Sequence, residues 1–182
     1  MKSQDIFILL KLASLQAQEN KDLSSVDAAL YTVRGLAEEL GVGKSEINNS
    51  INRSISVGLL KRDRKNNLPR PNLKALREFI VYGLKYVFPA KPSEITRGIP
   101  TAFAAPMLKG QLMTAGEMIY VWPDAKGRDK GQSVTPLFKT VPYAIKRDSR
   151  LYTSLALVDA IRLGGPREAH LAEQLLAESL EA

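Results

Sequence analysis

The stretch LAEELGVGKSEINNSINRSI, Leu36 to Ile55, constrains the fold more than any other part of the chain. Leu36, Ala37 and Leu40 repeat at helical spacing, with Glu38 and Glu39 facing outward, and Gly41 supplies the positive φ that ends a helix. A second helical pattern follows almost at once, over about 44–57, with Ile47, Ile51 and Ile55 expected to point inward. Two helices joined by so short a turn must cross at close range. Ala37 is small where they meet, and Val42 is placed to plug the underside of the turn. The run GVGKS also ends like a phosphate-binding loop, but that loop needs G-x-x-x-x-G-K-[ST]. Its first glycine would fall at Glu38, whose carboxylate repels phosphate, and helix rather than strand precedes it. The letters therefore read as the turn of a helix-turn-helix.

On either side, the pattern predicts a helix from residue 3 to about 17 with a broad apolar face and a polar break at NKDLSS. LLKRDR reads as a strand, KNN as a turn and LPRP as a short return edge, where proline is tolerated. Asn72 is placed to cap a long helix to about Tyr86, with Leu73, Leu76, Ile80, Leu84 and Val87 in phase. Residues 88–110 hold many prolines and glycines and read as a loop or a packed irregular segment. EMIYVW (117–122) reads as a strand and 123–136 as a polar loop. Helices close the chain over about 150–163, capped by Asp148, and 167–181.

Charge then narrows the partner. The chain of 182 residues has a formal net charge of +7. Between Lys61 and Arg77, seven basic residues face only Asp63, a footprint suited to a phosphate backbone. The outward face of the second helix carries Lys44, Ser45, Glu46, Asn48, Asn49, Asn52 and Arg53. Asparagine pairs with adenine, arginine with guanine, and glutamate accepts from cytosine. Three asparagines lower helix propensity, a composition that packing alone does not ask for. Lys44 and the helix N-terminus suit a phosphate, and Arg62, Arg64, Lys65 and Arg70 suit the flanking backbone.

SVGLLKRDRKNN resembles the strand and wing that follow the recognition helix in winged-helix regulators. The core from Thr32 to about Pro71 is similar to the MarR-like winged-helix family. YVFPAKPSEITRGIPTAFAAP, VWPD and the ending LYTSLALVDAIRLGG-PREAHLAEQLL resemble a bacterial group that adds this C-terminal extension to a winged helix. The expected fold is mainly α with a small β wing: a winged helix-turn-helix over 1–87 and an irregular, α-helical extension over 88–182. The resemblance implies sequence-specific binding to double-stranded DNA by a transcription regulator. An antitoxin-like or other protein-interaction partner that uses the winged helix for autoregulation is the alternative.

Regulators of this kind usually work as homodimers. Here the Leu171, Leu175 and Leu180 stripe, with Ala172 and Leu176 beside it, and the first helix are the expected interfaces. Phe88, Phe103, Tyr120 and Trp122 read either as core or as the wall of a small-molecule effector pocket. No cofactor or metal is expected: there are no cysteines, and His170 is the lone histidine. Neither a G-x-S-x-G nor an H-E-x-x-H pattern occurs, so an enzyme is not expected. Without cysteines, a signal-peptide pattern or a membrane span, the expected location is the cytoplasm.

Overall fold

The computed structural model describes residues 1–21, 27–112 and 118–181. Its organising element is the first helix, α1 (Ser3–Lys21), which runs four residues beyond the expected end. Ile6 to Leu10, Leu12, Ala13, Leu15 and Ala17 are all buried. So are Gln4, Asp5, Lys11 and Ser14, which lie round the rest of the circumference. A helix buried on every side has to be surrounded, and α1 is.

Helix α2 (Val33–Leu40) packs against α3 (Lys44–Ser56), and α3 packs on α1. Thr32 caps α2, its Oγ1 accepting from the Gly35 N–H at 2.9 Å. Gly41 takes the left-handed conformation, φ 64°, and Val42 is buried beneath the turn. Ile47 and Ile51 face the core as expected. Ile55 does not: it is 38% exposed, and the inward stripe is Ile47, Ser50, Ile51 and Ser54. At 3.6 residues per turn, a position eight residues after Ile47 lies about 80° round the helix, whereas seven residues brings it nearly back into line.

A hairpin follows, β1 (Leu60–Arg62) antiparallel to β2 (Pro69–Pro71), with Lys61 opposite Arg70. Its turn holds Asn67 at φ 57°. Helix α4 (Leu73–Tyr82) starts at the Asn72 cap, whose Oδ1 accepts from the Ala75 N–H at 3.2 Å. It breaks at Gly83 and resumes as α5 (Leu84–Val87), so the single helix expected to Tyr86 is two. That break leaves Val87, expected in phase, 53% exposed.

The second half departs further from expectation. Residues expected to be a loop include β3 (Ile95–Pro100), and the polar stretch after β4 (Tyr120–Pro123) includes β5 (Asp129–Ser133). The start of the expected strand at Glu117 lies outside the described residues. Strand β3 runs antiparallel to both β4 and β5, which pair parallel with each other, so the three close on themselves. Glycine permits that closure: a Cβ at Gly98 would fall on the Trp122 carbonyl.

Helix α6 (Val141–Ala144) leads to α7 (Ser149–Leu163) and α8 (Pro166–Glu181). The Asp148 cap forms, its Oδ1 accepting from the Leu151 N–H at 2.8 Å. In α8 the buried stripe is Ala172, Leu176 and Leu180, and the helix packs on α7, α4 and α1. Leu171 and Leu175 are half-buried. One apolar core thus joins Leu36, Ile47, Leu76 and Ile80 to Leu151, Leu155, Val158 and Leu176, crossing position 87 without a break.

Candidate nucleic-acid interface

Seen from its outer side, α3 offers Lys44, Ser45, Asn48, Asn49 and Asn52, all exposed. Among the described residues none of these side chains makes a hydrogen bond or an ion pair. The other two candidates on this helix are engaged. Glu46 accepts from Gln4 Nε2 at 2.7 Å and lies 3.9 Å from Lys2 Nζ. The Gln4 hydrogen bond, then the Lys2 charge, hold its carboxyl below the usual range. Arg53 grips Asp5 with two parallel bonds, Nε to Oδ2 at 3.0 Å and Nη2 to Oδ1 at 2.8 Å.

Burial pushes the Asp5 carboxyl up, but the Arg53 bond and the Lys2 backbone N–H outweigh it, and Asp5 stays below its ordinary value. Fork-to-fork pairing of this kind is among the stronger polar contacts a protein makes. Two bridges from α1, one at each end, therefore set the angle at which α3 presents its amides.

The hairpin sorts its cations in the same way. Arg62, Arg64 and Lys65 are exposed, and Arg62 Nη1 donates to the Asn67 carbonyl at 3.3 Å. Arg70 turns inward, with a side chain only 13% exposed. It donates to Glu19 at 2.8 Å and Tyr31 Oη at 3.0 Å, and its guanidinium lies 4.9 Å from the Tyr31 ring centre. It fastens the hairpin to α1. Lys61, opposite Arg70, is exposed beside Arg62 and belongs with the outward cations. It lay within the basic run, which already pointed to it.

Gln4, Asp5, Glu19 and Tyr31, which hold Glu46, Arg53 and Arg70, were the residues that sequence reading missed. A carboxylate one residue before the apolar run IFILL was the available signal for Asp5.

The aromatic set in the second half divides. Trp122 is core, 1% exposed, with Nε1 donating to Asp159 at 2.7 Å. Phe103 and Tyr120 line a cavity of about 510 Å³ with Ala102, Ala160 and Leu163. Phe88 packs half-buried against the core. His170 is exposed on α8 beside Gln174. Among the described residues no three His, Cys, Asp or Glu side chains gather as metal ligands, and no helix is long and apolar enough to cross a membrane. Compared with known proteins, the chain matches no family model, no curated protein and no solved structure.

Proposed function

We propose that the chain is a winged-helix protein that binds double-stranded DNA in a sequence-specific way and regulates transcription. Helix α3 enters the major groove and the β1–β2 hairpin is the wing that follows the backbone. The observation that carries this reading is the uncommitted amide face of α3, Asn48, Asn49 and Asn52, standing on a helix braced from behind by Asp5 and Gln4. Side-chain amides with no partner in their own protein are suited to adenine edges. Arg62, Arg64 and Lys65 add exposed cations that form no ion pair among the described residues. Arg53 and Arg70 act as positioning residues in this scheme rather than as DNA contacts.

Two copies on a palindrome would set two α3 helices in successive grooves. Helix α1 is enclosed by its own chain, as are Ala172, Leu176 and Leu180 of α8, which leaves the half-buried Leu171 and Leu175 as the part of that stripe open to pairing.

Selection of bound genomic fragments followed by sequencing tests the reading. A single enriched motif is expected, and fragments recovered in proportion to their abundance would sink it. Asn49→Ala and Asn52→Ala should each weaken the motif about 5- to 150-fold, corresponding to about 1–3 kcal/mol per bidentate base contact, while leaving random-duplex binding nearly unchanged.

A further inference from the structure

We infer that the closed sheet of the second half carries a second phosphodiester-binding surface, formed by Arg97, Lys126, Arg128 and Lys130. Three of the four alternate along 126–130, and Arg97 comes from a strand earlier in the chain. The sheet gathers them round one open cleft, which they line with Gly127 and Asp129.

Arg97 on β3 lies directly opposite Lys130 on β5. Like charges in that position destabilise an antiparallel pair, so the sheet carries a local cost that packing does not require. Lys126 and Arg128 flank Gly127 at the turn between β4 and β5. Gly127 sits so close to the Gly98 carbonyl that a Cβ there would fall on it. The turn is pinned further by Asp124, which accepts from the Lys126 N–H at 2.7 Å and, through its carbonyl, from the Gly127 N–H at 3.0 Å. The two cations thus project from a tight, fixed turn.

No acid among the described residues pairs with them. All four side chains are exposed, and among the described residues none forms an ion pair. Asp124 is spent on Lys146, at 3.8 Å. Asp129 also lines the cleft, but it forms no ion pair with any of the four and borders the neighbouring cavity as well. Its charge acts on Tyr152 too: burial, then the Asp129 charge, push that hydroxyl up to about 12.

Four cations against one carboxylate round an open cleft fit successive phosphates of a backbone better than one small anion. For its partner, duplex DNA, this inference rests on the reading given above.

The test is the salt dependence of random-duplex binding by the full chain, followed by fluorescence anisotropy between about 50 and 200 mM salt. The variant Arg97→Gln, Lys126→Gln, Arg128→Gln and Lys130→Gln alters exposed side chains only, and its thermal melt checks that it folds. Its log–log slope should be flatter than wild type by about two to four, given roughly 0.9 per phosphate contact. A charge-matched control, Lys85→Gln, Lys91→Gln, Lys109→Gln and Lys139→Gln, should flatten it far less.

If the duplex binds and the cleft variant keeps the wild-type slope, or the control changes it equally, the second surface is overturned and the α3 reading stands. If wild type binds no duplex, both fall. Pyrophosphate serves as the small-anion probe: if it shifts the amide resonance of Gly127 and duplex DNA does not, a free phosphate compound is the ligand and the backbone assignment is wrong.

Discussion

Asp5 shows how one residue can tie stability to the proposed interface. Its carboxylate is buried, accepts both arms of Arg53 and also takes the Lys2 N–H at 2.8 Å. The folded carboxyl titrates below the ordinary 3.8, so its contribution is complete above that pH and drains away as pH falls below it. Thermal melts from neutral to acid pH should show stability dropping below about pH 4. Asp5→Asn should lower stability near neutral pH by about 3 kcal/mol, the lower end for removing one partner of a buried pair. Its acid fall should also be shallower. Parallel pH curves for variant and wild type would show that Asp5 carries no such linkage. The outward amides of α3 were legible because each stands on a helix face that periodicity defines. The engagement of Arg53 was not. Its partner lies 48 residues away, and no local pattern distinguishes a cation held from behind from one offered outward.

The element that sequence reading handled least well is the three-stranded sheet. Helices announced themselves through local chemistry: Thr32, Asn72 and Asp148 all cap where their side chains suit, and Gly41 turns the chain where its φ requires. Strands β3 and β5 carry no such signal. ITRGIP and DKGQS contain glycine or proline and little apolar alternation, and their extended state comes from pairing with each other, more than thirty positions apart, and with β4. Closure is decided instead by close approach, which a sequence shows only as an unexplained glycine. Gly98→Ala should therefore cost about 1–3 kcal/mol or more, since its Cβ meets backbone that cannot move aside without parting β3 from β4. Hydrogen exchange should show protection lost first in β3, β4 and β5. A variant that keeps wild-type stability and protection would mean that the sheet closes without needing glycine there.

On the scale of the whole molecule, the expected division after Val87 separates the proposed reading head from its extension, but the physics of α1 joins them. Lys11, 4% exposed, is held by Glu39 of α2 at 3.2 Å and by the α7 cap Asp148 at 2.9 Å. Ser14 donates to that same aspartate, and α1 packs on α7 and α8 as well as on α3 and α4. Removing residues 88–182 would bare one side of an apolar helix and leave a buried ammonium with one partner of two. An isolated 1–87 fragment should therefore lack a cooperative thermal transition, and adding the 88–182 fragment should restore one. The contrast with a self-sufficient DNA-binding module is sharp. If 1–87 alone melts cooperatively, the α1 contacts to α7 and α8 are dispensable for folding, and the extension is an attachment to a module that stands without it. If it melts only with its other half, α3 owes its presentation to the entire chain. A ligand or partner acting on the second half would then change the proposed DNA affinity through α1 without touching α3.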